Sequence, residues 1–85
     1  ETSIDALCQV SHNCILGKKN TLVSGTYLYG SVETGDNVYI ASSVIMNQIK
    51  LGDNVTVGMN SVVMSDVESG LTVFGTPAKA HKKSK

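Results

Sequence analysis

Few residues in this 85-residue chain are equipped to move a proton or a group. The candidates are two histidines, His12 and His81, and two cysteines, Cys8 and Cys14. An imidazole titrates near neutrality, so a histidine within reach of a hydroxyl or amine is the ordinary general base. His12 lies in VSHNCILG, and a glycine, Gly30, follows eighteen residues later. If eighteen residues make one structural repeat, Gly30 removes the side chain over the imidazole and bares a backbone N–H about 4.8 Å away. A base beside an open amide suits acyl transfer. The base takes the proton of the attacking group and the amide holds the oxyanion. Whether His12 is such a base or an incidental surface histidine turns on which way it points.

A period of six decides that. Every sixth residue from Ile4 reads Ile4, Val10, Leu16, Leu22, Leu28, Thr34, Ile40, Met46, all large and apolar but one. Four residues later the same frame gives Cys8, Cys14, Asn20, Thr26, Val32, Val38, Val44, small or β-branched apart from Asn20. After Met46 the frame is expected to slip by one residue, with Met46 to Lys50 as the shortened corner. It resumes as Leu51, Val57, Val63 beside Val55, Ser61, Val67, Val73. Neither an amphipathic helix nor a simple strand alternation has this period. GKKN at Gly17 and GDNV at Gly35 and Gly52 add turn chemistry at intervals of eighteen and seventeen residues. The pattern predicts an all-β parallel β-helix, a hexapeptide solenoid with three short strands per turn. Three to four coils span residues 4 to about 68, followed by a capping segment and tail over 69–85. His12 falls in the outward set with Ala6, Lys18, Ser24, Gly30, Asp36 and Ser42, and Cys8 and Cys14 occupy small inward positions as packed, reduced thiols.

Composition narrows the classes. Net charge is zero, seven lysines against seven acids, which gives no reason to expect nucleic acid or membrane as a partner. No apolar run is long enough to span a bilayer and no signal peptide is visible. Reduced thiols at Cys8 and Cys14 make a cytoplasmic protein the expectation. A zinc site of three histidines has no ligand set here, and no metal is expected. The chain begins with Glu1 rather than Met and is expected to be part of something longer. VFGTPAKAHKKSK is expected to close the solenoid and run out as a solvated tail, or to bring Lys79 and the later lysines near the phosphates of a ligand. His81 is given no role.

VSHNCILG, LGDNVTVGMNSVV and VFGTPAK resemble the left-handed β-helix hexapeptide acyltransferases. The similarity is nearest to the bacterial sialic acid O-acetyltransferases and nucleotide-aminosugar N-acetyltransferases, over about Ile4 to Ala80. The resemblance implies transfer of the acetyl group of acetyl-CoA to a hydroxyl or amine of a sugar or nucleotide sugar, with His12 as the base. The residue after the base is usually acidic in that family and raises its basicity; here it is Asn13, a base-modulating position without charge. The resemblance also implies acetyl-CoA contacts at Thr21, Gly30, Ser42, Gly58 and Met59, several through backbone, and a homotrimer with its sites between subunits. Many members carry an N-terminal nucleotide-sugar domain, and none lies within these residues. Small outward residues at Gly30, Ser42 and Gly58 mark the expected groove between coils, where Gly58→Leu would block coenzyme A without disturbing the fold. The competing reading is a non-catalytic β-helix serving as an oligomerisation or scaffold module.

Overall fold

In the computed structural model, which describes residues 2–81, the chain winds as a parallel β-solenoid of about four turns, with no helix among the described residues. The strands are β1 (Ser3–Ile4), β2 (Gln9–Val10), β3 (Thr21–Leu22), β4 (Tyr27–Leu28), β5 (Glu33–Thr34), β6 (Tyr39–Ile40), β7 (Val44–Ile45), β8 (Lys50–Leu51), β9 (Thr56–Val57), β10 (Val62–Val63), β11 (Thr72–Gly75) and β12 (Ala78–His81). They stack into three faces. Face 1 has the order β1-β3-β6-β9-β11-β12, and face 2 joins β2, β4, β7 and β10. Face 3 pairs β5 with β8, extended by bridges from Ile15 to Glu33 and from Leu51 to Val67.

The corners make the chain turn. Leu7, Asn13, Lys19, Gly25, Ser31 and Asn37 recur every six residues with φ between 59° and 86°. Gln48, Asn54, Asn60 and Gly70 continue the series. Glycine and asparagine enter this left-handed region at little cost, which accounts for six of the ten. Two corners lack such a residue, the one at Ser42 and the one at Ser65, and there the coil contracts. On face 1 the successive partners Ile4, Leu22, Ile40, Val57 and Val73 lie 18, 18, 17 and 16 residues apart.

This relocates the expected slip. The residue is lost at Ser42, before Met46 rather than after it, so Ile45 pairs with Leu28 and is fully buried while Met46 is half-buried outside it. Ser43 takes the small inward position expected for Val44. Its hydroxyl donates to the Gly58 carbonyl at 2.6 Å and accepts the Ser61 amide at 3.2 Å, which makes a buried serine tolerable. Val67 likewise pairs with Leu51 in the large frame, not the small one. Asn20, the misfit in the small frame, is buried because both ends of its amide are used. Its Nδ2 donates to Thr34 Oγ1 at 2.7 Å and its Oδ1 accepts the Val38 amide at 2.8 Å.

The core is a narrow column of Leu22, Leu28, Ile40, Ile45, Val57 and Val63 beside Val32, Val38 and Val55, each at most 1% exposed. Burying such side chains contributes about 1.5–3 kcal/mol apiece. Cys8 and Cys14 pack half-buried against it as free thiols, donating to the carbonyls of Val23 and Tyr29. Much of the expected tail is strand: Thr72–Gly75 and Ala78–His81 form a pair. β11 doubles back into antiparallel β12, with Phe74 opposite Lys79, and closes face 1. Lys82, Lys83 and Lys85 lie outside the described residues.

Glycine separates two kinds of corner. A Cβ on Gly52 would sit 2.6 Å from the Ser69 nitrogen, and one on Gly35 would sit 2.9 Å from the Asp53 nitrogen. A Cβ on Gly30 would meet only the His12 carbonyl, at an ordinary 3.7 Å. Gly52→Ala should therefore destabilise by about 1–3 kcal/mol, the usual penalty of overpacking. Gly30→Ala should leave stability within about 0.5 kcal/mol. Urea unfolding of the two variants measures this, and equal midpoints would contradict such packing.

Candidate active site

Three edges run along the prism, built from the corner residues that precede the positive-φ positions, with Ser42 in the equivalent place at a contracted corner. Edge 3–1 carries Lys18, Asp36, Asp53 and Ser69. Its side chains close its own backbone: Asp36 Oδ1 accepts the Lys18 amide, Asp53 Oδ1 accepts the Asp36 amide and Ser69 Oγ accepts the Asp53 amide, each at 2.8 Å. This is the stacking that demands glycine at positions 17, 35 and 52. Edge 1–2 (Ser24, Ser42, Met59) and edge 2–3 (His12, Gly30, Asn47) differ. Among the described residues no group accepts any of these six amides.

His12 stands on edge 2–3, outward and exposed as its place in the frame requires. Its imidazole makes no hydrogen bond among the described residues and borders a shallow depression of about 270 Å³ shared with Gln9, Val10 and Ser11. The Ser31 amide donates to the His12 carbonyl at 2.9 Å, which fixes Gly30 in the coil directly above. Gly30 has neither a positive φ nor a crowded Cβ position, so packing does not require glycine there. Its absent side chain leaves open the amide below it, and its own amide is open too. Asn13 occupies the left-handed corner position with φ 61°, which an asparagine fills readily. Its side chain is exposed and has no bond to His12.

The other expected positions do not join His12 within one chain. Thr21 lies on face 1, in β3 between Ser3 and Tyr39. Ser42 and the 69% exposed Met59 stand on edge 1–2, across the whole of face 2. Ser42 Oγ donates to the Ser24 carbonyl at 2.5 Å. A single groove between coils through Gly30, Ser42, Gly58 and Met59 therefore does not exist in one chain. Gly58 is also not the neutral position expected. A Cβ there would fall 2.9 Å from Phe74 Cβ, so Gly58→Leu disturbs the closing strand. Its amide donates to the Val73 carbonyl at 2.9 Å and its own carbonyl takes the hydroxyls of Ser43 and Ser61. That leaves no backbone group at Gly58 for a ligand. Among the described residues no three histidine, cysteine or acidic side chains cluster as a metal site.

The hexapeptide frame does not flag the outward residues of face 2. Above the polar Gln9 of β2 and Ser11 just after it, these are Tyr27 and Tyr29, then Val44 and Met46, then Val62 and Met64. The tyrosine rings lie 4.7 Å apart, and Met64 is 58% exposed. This apolar stripe runs between the two edges whose amides are open. Its signal in the sequence is the recurrence of apolar residues on every third strand, outside the inward frame.

No protein-family model matches the chain. It is 36% identical over 83 residues to a UDP-3-O-acylglucosamine N-acyltransferase of Wolinella succinogenes, covering 96% of this chain and 26% of that protein. It is also 36% identical over 83 residues to a serine acetyltransferase of Staphylococcus epidermidis, covering 87% of this chain and 39% of that one. The structure of Neisseria gonorrhoeae serine acetyltransferase superposes with a TM-score of 0.89 at 32% identity, over 94% of this chain and 36% of the other. The chain thus spans between a quarter and two-fifths of these relatives, all of them acyltransferases with different acceptors. With three short strands per coil and corners that recur every six residues, the chain shares the β-solenoid fold of the serine acetyltransferase structure and is similar over nearly its whole length to these acyltransferases.

Proposed function

We propose that this chain carries the site of an acetyl transfer from acetyl-CoA, with His12 as general base. The observation that carries the reading is the His12–Gly30 column, an unbonded outward imidazole beneath a glycine that packing does not require and whose amide is open. His12 takes the proton of an acceptor hydroxyl or amine as that atom attacks the thioester carbonyl carbon. The oxyanion of the tetrahedral intermediate is held by the Gly30 amide. As the intermediate collapses the carbon–sulfur bond breaks, and the proton on His12 passes to the departing thiolate. The protein makes no covalent bond to the acyl group.

The acceptor in this reading is a sugar or nucleotide sugar, supported by the relative that acylates an acylglucosamine. Serine is the rival acceptor, since a relative of equal identity acetylates it. The cell compartment in this reading is the cytoplasm, where free thiols such as Cys8 and Cys14 stay reduced. The acting unit is a homotrimer packed through face 2. Three prisms with face 2 turned to a common axis bring edge 2–3 of one copy beside edge 1–2 of the next. His12 and Gly30 then face Ser42 and Met59 of a neighbour across one cleft, which one chain cannot achieve. Burying the tyrosine, valine and methionine stripe is the driving force.

Thiol release from acetyl-CoA, followed with aminosugars, nucleotide aminosugars and serine as acceptors, tests the reading. His12→Ala is expected to lose about 10²–10⁴ in kcat with little change in the KM for acetyl-CoA. An unchanged acceptor-dependent rate would reduce His12 to a surface residue. Asn13→Asp, which keeps a residue tolerant of the corner conformation, should raise the rate at neutral pH by placing a carboxylate beside the imidazole. Sedimentation should show a trimer at micromolar concentration. Met64→Lys should shift it to monomer and abolish transfer while leaving the far-ultraviolet circular dichroism unchanged; a monomeric wild type would discard both the interface and the shared cleft.

A further inference from the structure

Edge 2–3 continues above Gly30 to Asn47, a residue with no part in the proton transfer or the oxyanion contact. The coil register is fixed: the Gln48 amide donates to the Gly30 carbonyl at 2.9 Å, as the Ser31 amide does to His12. Asn47 thus holds, over Gly30, the corner position that Asp53 holds over Asp36 and that Ser69 holds over Asp53. Those two side chains fold down and cap the amide beneath them at 2.8 Å. Asn47 does not. It is exposed, and its carboxamide makes no hydrogen bond among the described residues. A side chain able to both donate and accept thus stands one coil beyond the amide assigned to the oxyanion, and two coils, about 10 Å, from His12.

We propose that Asn47 is a donor-positioning residue, hydrogen-bonding the amide-bearing arm of the acyl donor while leaving the Gly30 amide open. The proposal rests on the acyl-transfer reading above. An acyl thioester of coenzyme A carries secondary amides along an extended arm, and a carboxamide is their natural partner because each side offers one donor and one acceptor. Asparagine suits the position better than aspartate. A carboxylate is the stronger acceptor for a backbone N–H, and on edge 3–1 carboxylates close the amides beneath them. At position 47 that closure would remove the oxyanion donor.

The experiment uses the full chain with coenzyme A and acetyl-CoA as probes. Asn47→Ala should weaken coenzyme A binding by calorimetry, and raise the KM for acetyl-CoA, by about 3- to 10-fold, the worth of one neutral hydrogen bond, with kcat within about twofold. Asn47→Asp should cap Gly30, slow hydrogen exchange of its amide at least about tenfold and lower kcat by about 10²-fold, as loss of an oxyanion donor does. A purely structural asparagine would change the melting temperature in both variants and neither the KM-to-kcat split nor Gly30 exchange. Unchanged coenzyme A affinity in Asn47→Ala, or unchanged Gly30 exchange and kcat in Asn47→Asp, overturns the proposal. Wild type that binds coenzyme A through Asn47 yet releases no thiol with any acceptor would sink the transfer reading instead, and leave the contact standing.

Discussion

A left-handed backbone conformation at one residue in six is the constraint from which the rest of this molecule follows. Each such corner turns the chain through a third of a coil, so that two-residue strands, far too short to be stable alone, meet their equivalents above and below. The turn costs little where asparagine or glycine supplies it. At Leu7, Lys19, Ser31 and Gln48 the strain is carried by the parallel ladder on either side. Local geometry alone would not hold these residues there. Cooperative stacking does, and it places their neighbours outward at the edges.

Those edges divide the surface into a closed part and an open part. Along edge 3–1 carboxylate and hydroxyl oxygens neutralise successive amides, and glycines at 17, 35 and 52 make room for the side chains that do so. The other two edges keep their amides bare, and between them lies the apolar face of Tyr27, Tyr29, Val44, Met46, Val62 and Met64. Exposed apolar area raises the free energy of an isolated prism in water, and amides left open at the edges are free to bond a ligand. They fall together on one side, which is the arrangement expected when neighbouring copies and a ligand cover that side jointly.

Much of this architecture is legible in the residues themselves. The inward frame through Val10, Leu22, Leu28 and Ile40, and the outward place of His12, follow from period alone, because burial on a three-sided coil leaves few alternatives. The point of contraction does not. Ile45 and Met46 are both large and apolar, so residue type does not say which faces inward, and the serine hydrogen bonds that settle it are tertiary. Nor is the closing strand pair legible. The β11–β12 reversal depends on pairing between Thr72–Gly75 and Ala78–His81, whose mixed composition resembles a tail. The site is legible as a single column, His12 under Gly30. Its proposed completion by edge 1–2 is not, since that is a relation between chains.

The contracting coils have a further bearing on how the chain finds its fold. Repeats of equal length suffer a translational degeneracy: any coil can pair with any other, and misaligned stacks trap the chain with nearly native contacts. Here successive circuits on face 1 take 18, 18, 17 and 16 residues, with the losses concentrated at the Ser42 and Ser65 corners. A stack displaced by one circuit across either contraction would set a longer circuit on a shorter one, turning an inward valine or isoleucine toward water and an outward residue into the core. The irregularities that blur the repeat in the sequence thus act as alignment marks, leaving one registration in which all four circuits bury their apolar residues at once.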